Sequence, residues 1–122
     1  MTNGNQKGKR GEREAAALLK SFGFEARRGK QYSGGDDSPD VVHSIPGVHI
    51  EVKRTETLSL YTAFAQAVAD AGKKTPIILH RRNGKPWLAV IAATDLLALI
   101  REYHRQGEAL RGVYKLPKPE KE

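Results

Sequence analysis

An acidic residue and a lysine share one face of a predicted strand, residues 48–53. Side chains alternate between the two faces of a strand, so Glu51 and Lys53 project together from one face. The apolar residues that then face the core are Val48, Ile50 and Val52. A carboxylate can hold a hard divalent cation, and a nearby ammonium group can offset the charge of a phosphate in its transition state. Such a pair is useful for phosphodiester chemistry. On its own, however, the pattern favours an ordinary solvent-facing strand, and it points to chemistry only in combination with a second carboxylate.

A second carboxylate, Asp40, follows Pro39 upstream of that strand. Residues 40–45 and 48–54 read as two strands joined by a Pro-Gly turn, and we expect them to pair as a hairpin. That pairing would bring Asp40 close to Glu51 and to the main-chain carbonyl of Val52. Oxygen atoms of this kind are ligands for Mg²⁺, which keeps several waters in such sites. We therefore predict a Mg²⁺ site, with Mn²⁺ as a substitute.

Hydrophobic periodicity and turn signals predict the elements that must position these groups. The expected order is helix, three strands, helix, two strands, helix, which is an α/β class with helices packed on one mixed sheet. Thr94 is expected to cap the last helix and Gly107 to end it. The predicted helices cover residues 9–22, 59–72 and 94–107, and the predicted strands cover 24–30, 40–45, 48–54, 75–81 and 86–92. Residues 31–38 are predicted to form a loop.

Composition narrows the class of protein. The chain has 122 residues, with 21 Lys and Arg against 14 Asp and Glu, a net charge of +7, and no cysteine. The length favours a single domain, and the missing cysteines exclude a disulfide scaffold, a zinc ribbon and a thiol nucleophile. The basic excess favours a polyanionic partner, with nucleic acid ahead of an anionic membrane surface. Yet 8 of the 14 acids lie in residues 1–60, which a simple polyanion binder does not need.

Other functions lack their sequence signals. No apolar run is long enough to span a bilayer and no signal-peptide pattern opens the chain, so we expect a cytoplasmic protein without a membrane partner. No phosphate-binding loop is present, so no nucleotide cofactor is expected. The histidines lack ligand spacing; even His49, on the Glu51 face, is expected to be a surface residue. The chain ends, about 1–6 and 115–122, are expected to be flexible.

Two motifs resemble a known nuclease superfamily. Pro39-Asp40 followed by Glu51-Val52-Lys53 resembles the PD-(D/E)XK signature, and within it the archaeal and phage Holliday junction resolvases. Residues 7–14, Lys-Gly-Lys-Arg-Gly-Glu-Arg-Glu, are similar to that family's N-terminal segment. The resemblance covers about residues 7–92. It implies a restriction-endonuclease-like fold, a central mixed β-sheet flanked by helices, in one domain over residues 1–122.

The resemblance also implies an activity and its residues. It implies a metal-dependent, structure-specific endonuclease of prokaryotes or phage that resolves four-way DNA junctions by paired symmetric nicks and acts as a homodimer on branched DNA. The metal ligands would be Glu12, Asp40, Glu51 and the Val52 carbonyl, with Lys53 as catalytic lysine and Gln66 as a supporting residue. The chain departs from the family in an insertion at Gly35–Ser38 and in its basic tail, which leaves the exact DNA substrate open.

The physics of Glu12 alone leaves two interpretations. It lies near the start of a predicted helix, where the helix dipole favours an acid whether or not that acid has a catalytic part. Glu14 is a competing acid that points to a different face of the same helix.

Basic residues surround the proposed site in the sequence. Contacts from them to phosphates would give affinity without sequence readout, although each one alone is also an ordinary solvated charge. The DNA-binding candidates are Lys7, Lys9, Arg10, Arg13, Arg28, Lys30, Ser33 and Arg54. Two main alternatives remain: a nuclease of the same fold that acts on flaps, forks or single strands, and a basic DNA-binding module without catalysis. A third, an RNA-binding or ribosome-associated basic protein, is disfavoured because the chain lacks the aromatic and glycine pattern of an RNA-recognition motif.

Overall fold

The computed structural model describes residues 4–29 and 40–114, with side chains described for residues 8–29 and 40–108. Contacts within the chain divide it into two compact units, Met1–Ile91 and Ala92–Glu122. Each unit is described by itself. The single-domain organisation stays a prediction.

The elements follow the predicted order. The first unit contains α1 (Gly4–Ser21), β1 (Ala26–Arg28), β2 (Val41–His43), β3 (Val48–Lys53), α2 (Leu60–Ala71), β4 (Thr75–His80) and β5 (Leu88–Ile91). The second unit contains α3 (Ala93–Tyr114). The predicted α/β class, a mixed sheet with flanking helices, is confirmed.

The strand that carries Glu51 is part of a three-stranded mixed sheet in the order β3-β4-β5. β3 and β4 are parallel, with Glu51 opposite Ile78 and Lys53 opposite His80, whereas β4 and β5 are antiparallel. The predicted hairpin between residues 40–45 and 48–54 is wrong, because β2 pairs with β1 in a separate antiparallel ladder. β2 has only three residues, and the Val52 amide is taken by a side chain rather than by a strand.

The two faces of β3 have different coverings. On one face, Val52 and its β4 partner Leu79 pack against a buried cluster of small residues, Ala15 and Ala16 of α1 with Ala26 and Val41. Small side chains let the helix lie close to the strands. On the other face, α2 contacts β3 and β4, with Ala67 and Ala71 buried on the helix and Pro76 and Ile78 buried on β4.

Several element ends differ from the prediction. α1 begins at Gly4, inside the segment expected to be flexible, and α3 continues past Gly107 to Tyr114. The Leu96 amide donates to the Ala92 carbonyl, so α3 begins two residues too early for Thr94 to be its cap. Gly72 ends α2 as predicted, with a φ of 60° that glycine adopts without strain. The predicted loop 31–38 and the tail 115–122 lie outside the described residues.

No helix in the described ranges combines the length and the apolar composition needed to cross a membrane.

Candidate active site

Asp40 lies beside β3, as the sequence predicts, although no hairpin brings it there. It directly precedes β2, and its Oδ2 atom accepts a hydrogen bond of 2.8 Å from the Val52 amide. The carboxylate thus occupies the edge of β3 next to the residue that follows Glu51. The expected proximity of Asp40 and Val52 is present without the expected hairpin.

Glu12 approaches the same place from α1. Its Oε2 atom accepts a hydrogen bond of 2.8 Å from Arg28 Nε, and its side chain is only 12% exposed. Burial raises the pKa of Glu12, the hydrogen bond from Arg28 opposes that rise, and the charge of Asp40 adds to it. Glu12 is therefore within electrostatic reach of Asp40.

Glu51 is the buried acid of the sheet, with 8% of the residue exposed. Its Oε1 atom lies 3.0 Å from His49 Nε2. Burial is the largest cause of a raised pKa for Glu51; contact with His49 opposes the rise, while a hydrogen bond with Asp70 and the charge of Asp40 increase it. Glu51 thus has carboxylates near it on two sides, Asp40 at the strand edge and Asp70 on α2.

The tightest cluster of ligand side chains differs from the predicted set. In the part of the chain that the structure describes, one donor atom each from His49, Glu51 and Asp70 all lie within 4.8 Å of one another. Glu12 and Asp40 are not members of this group. Of the predicted acids, then, Glu51 alone belongs to it.

His49 and Asp70 are residues that sequence reasoning missed. His49 had a signal, because it alternates onto the same strand face as Glu51, but it was expected to be a surface residue; its side chain is 12% exposed. Asp70 had none beyond its place on α2, one helical turn after Gln66. Gln66 Nε2 donates a hydrogen bond of 3.0 Å to Asp70 Oδ1, so Gln66 touches this cluster through Asp70.

Lys53 ends β3 on the face that carries Glu51, as alternation requires. It is partly buried and lies opposite His80 in the sheet. The imidazole of His80 is bonded to the Thr55 carbonyl at 2.9 Å, which ties the segment after Lys53 to β4.

Arg54 is occupied inside the protein. Its Nε atom lies 3.2 Å from both carboxylate oxygens of Glu14, and its side chain is 10% exposed. Arg54 also donates a hydrogen bond to the Arg81 carbonyl. Its side chain lies so near Gly11 of α1 that a Cβ added at Gly11 would be 2.4 Å from Arg54 Cβ. Glu14 and Arg54 therefore join α1 to the end of β3. The DNA-binding role predicted for Arg54 has to compete with this pairing.

The other basic candidates are distributed unevenly. Lys9, Arg10 and Arg13 are exposed on α1, around Glu12. Arg28 is partly exposed and paired with Glu12. Lys30, Ser33 and the side chain of Lys7 lie outside the described residues.

The residues present fit a divalent cation. The Asp40 carboxylate is held beside β3 by the Val52 amide, and its charge raises the pKa values of Glu12 on α1 and of Glu51 on β3. A bound cation would relieve this repulsion. It would also favour the ionised form of these acids, whereas burial favours the protonated form. The oxygen donors match those that hard divalent ions take.

Comparison with known proteins places the chain in a family. The family described as archaeal Holliday junction resolvase (Hjc) matches residues 3–108. The matched range includes residues 7–14, Pro39-Asp40, Glu51-Val52-Lys53 and most of α3. No curated protein and no solved structure matches the chain. The match spans most of the 122 residues. The chain therefore belongs to the archaeal Holliday junction resolvase (Hjc) family, whose members are nucleases that act on Holliday junctions.

Proposed function

We propose that this protein is a divalent-metal-dependent endonuclease that resolves four-way DNA junctions by paired symmetric nicks. One observation carries the catalytic part of the proposal: the Val52 amide holds the Asp40 carboxylate at 2.8 Å on the edge of β3, next to Glu51 in the strand, and the charge of Asp40 there raises the pKa values of Glu12 and Glu51. These acids come from three separate segments, so the fold rather than the local sequence assembles them. Like charges that are half-buried together have a cost, and a cation site explains why they are kept.

In this proposal, Glu12, Asp40, Glu51 and the Val52 carbonyl hold Mg²⁺, with Mn²⁺ as a substitute. When bound, such an ion stabilises negative charge on the phosphate and lowers the pKa of water. The chain fixes the direction of its ligands: the Val52 amide holds Asp40 at 2.8 Å, and Arg28 holds Glu12 at 2.8 Å.

Lys53 has the complementary role. It shares a strand face with Glu51, and a rigid strand sets their separation. Its ammonium group would offset the charge that builds up on the phosphate as the phosphodiester bond breaks.

The exposed basic residues of α1 would hold the DNA. Lys9, Arg10 and Arg13 flank Glu12 on the helix surface, so phosphate contacts there would bring a strand to the acids. Such contacts carry no sequence information, which suits an enzyme that recognises the shape of a junction. Their affinity is expected to fall as salt rises.

Two copies are expected to act together, one for each nick. Along α3, apolar residues recur at helical spacing, at Leu96, Ile100 and Tyr103 among others. We propose that this stripe contributes to a homodimer, for which sedimentation or light scattering should give twice the mass of one chain. The substrate implies action where DNA recombines, in the cytoplasm of a prokaryotic or phage-infected cell.

The test is a cleavage assay on a panel of labelled DNAs at one salt concentration, with and without Mg²⁺. The panel contains a four-way junction, a matched duplex, a flap, a fork and a single strand. We expect metal-dependent, symmetric nicks in the junction and much slower cutting of the others. Asp40→Asn should lower the junction rate by about 100-fold or more, because a preorganised charge contact is lost. Junction binding should persist.

The matched control is Asp95→Asn, the same chemical change in the first turn of α3. It should leave the rate within about twofold, since a surface change there acts on stability only slightly. Faster cutting of flaps, forks or single strands would identify a different substrate for the same chemistry. Junction binding without any metal-dependent product would identify a non-catalytic DNA-binding protein. A normal rate for Asp40→Asn would overturn the proposed set of ligands.

A further inference from the structure

A second group of ligand side chains lies on the α2 face of β3. His49 and Glu51 are two residues apart on the strand and therefore share a face, and Asp70 approaches them from α2. One donor atom from each lies within 4.8 Å of the others. Neither His49 nor Asp70 takes part in the proposed nuclease site. Glu51 belongs to both groups, whereas the other two nuclease acids, Glu12 and Asp40, come from α1 and from the edge of β3.

The spacing of these donors suits one metal ion. Two donors on one first-row metal, with bonds of about 2.1 Å, lie at most about 4.2 Å apart. A pair of donors at the observed limit of 4.8 Å would therefore have to approach each other by at least about 0.6 Å to share the ion. The side chains of His49 and Glu51 are only 12% and 10% exposed, so they form the buried side of the site and have little freedom to move. Asp70 is exposed and forms the open side, where an ion could enter.

The outer contacts also resemble those of a metal site. Ligands in such sites are usually oriented by further hydrogen bonds from the protein. Here Gln66 donates to Asp70 Oδ1 from one turn earlier on α2, at 3.0 Å. That bond helps to hold the Asp70 carboxylate in its place near His49 and Glu51.

The donor types decide which cation fits. Mg²⁺ is bound through oxygen and keeps several waters. An imidazole nitrogen instead favours first-row transition metals, and two carboxylates beside it still suit Mn²⁺. A set of one imidazole and two carboxylates therefore differs in preference from the all-oxygen set of the proposed nuclease site, which shares Glu51 and adds Glu12, Asp40 and the Val52 carbonyl.

We propose that His49, Glu51 and Asp70 form a binding site for a first-row transition-metal dication of the Mn²⁺ class. Binding at this site does not require that the protein cuts DNA. Its consequence for catalysis rests on the proposed function: Glu51 would then belong to two neighbouring cation positions, one selective for Mn²⁺ and one that accepts Mg²⁺.

The experiment measures metal binding to the full-length, metal-free protein without DNA. Free Mn²⁺ is followed by its electron paramagnetic resonance signal, and Mg²⁺ is added as a competitor. The wild-type protein should bind Mn²⁺, and a large excess of Mg²⁺ should displace it only in part. His49→Gln keeps the side-chain volume and removes the imidazole, so it should weaken Mn²⁺ binding by about tenfold or more and reduce the preference over Mg²⁺.

Asp70→Asn provides a second variant that is safe for folding, because Asp70 is exposed. It should also weaken Mn²⁺ binding by about tenfold or more. The matched controls are His104→Gln and Asp95→Asn, the same two changes on α3. They should bind Mn²⁺ as the wild type does. A thermal melt of each variant, with and without Mn²⁺, gives a second readout, since a ligand that binds only the folded state raises the melting temperature.

The outcomes separate this proposal from the nuclease function. If both site variants bind Mn²⁺ like the controls, or if Mg²⁺ displaces Mn²⁺ one for one, the site is overturned even when junctions are cut. If Mn²⁺ binding depends on His49 and Asp70 while no DNA in the panel is cut, this site stands and the proposed nuclease function fails.

Discussion

The two faces of β3 place opposite kinds of residue on one short strand. Toward α1, Val52 packs with Leu79 against the alanine cluster of Ala15 and Ala16. Toward α2, the same strand presents His49, Glu51 and Lys53. The apolar face stabilises the fold by removing hydrocarbon from water, whereas the polar face holds an acid whose burial raises its pKa. The apolar face of β3 therefore stabilises the folded state, whereas burial of an ionised carboxylate on the polar face, where the chemistry is expected, destabilises it.

The largest effect is expected on the apolar face. Ile50 is 3% exposed, and Ile50→Ala leaves a cavity, so it should lower the free energy of unfolding by about 2–5 kcal/mol. Urea unfolding measures this change. The control is Val68→Ala on α2, where the side chain is 49% exposed and the loss should stay below about 1 kcal/mol. Equal losses from the two changes would mean that this face of β3 is not part of the core.

An intermediate effect tests how closely α1 approaches the end of β3. A Cβ at Gly11 would lie 2.4 Å from Arg54 Cβ, an atom too close to the main chain to move freely. Gly11→Ala should therefore destabilise the protein by about 1–3 kcal/mol through overpacking. Gly8 on the same helix has nothing within 4 Å of such a Cβ. Gly8→Ala should instead stabilise the helix by about 0.5–1 kcal/mol. The comparison uses thermal or urea unfolding, and equal effects at both positions would contradict the close contact.

The smallest effect tests how much the buried carboxyl of Glu51 on the polar face destabilises the protein. A chelator is present throughout to exclude metal. The pKa of Glu51 is raised above 4.5, its ordinary value, so the folded state holds its proton more tightly than the unfolded state. The wild type should therefore lose stability as pH rises from 4.5 through the raised pKa, and should keep the full contribution below 4.5. Glu51→Gln should lack this loss and be the more stable form at pH 7.

Unfolding of both proteins is measured between pH 4 and pH 7.5. Glu12, whose pKa is also raised, acts in the same direction in both proteins and cancels in the difference. Curves that stay parallel across this range would show that Glu51 is not strained by burial.

Much of the fold could be predicted because local signals dominate it. Alternation predicted the strand with Glu51, helical spacing predicted α1 and α2, and Gly72 marked the end of α2. The pairing of β2 could not be predicted in the same way, since adjacent strands with a short turn normally form a hairpin. Here the partner of β2 is β1, and the competing contact on β3 is a single carboxylate. A single side chain that pairs with a strand edge, as Asp40 does here, leaves no periodic pattern in the sequence from which it could be predicted.

The candidate site divides in the same manner. Alternation places Glu51 and Lys53 on one strand face, the expected hairpin pointed to Asp40, and motif resemblance pointed to Glu12. The contacts of Asp70 depend on how α2 crosses β3, which the sequence of α2 does not reveal. The role of Arg54 was also hidden, because a basic residue after a strand looks the same whether it meets phosphate or Glu14. Packing between distant segments decided both cases.

The hydrogen bond between Asp40 and the Val52 amide has a consequence for solubility. An exposed strand edge with free amides can recruit a strand from another molecule, and proteins guard such edges with charges. The Asp40 carboxylate occupies one of these amides at 2.8 Å and adds a negative charge there. A residue expected to hold a metal thus also protects the sheet against edge-to-edge aggregation. Asparagine keeps a carbonyl oxygen for the amide but loses the charge, so it should preserve part of that protection, whereas alanine should expose the edge.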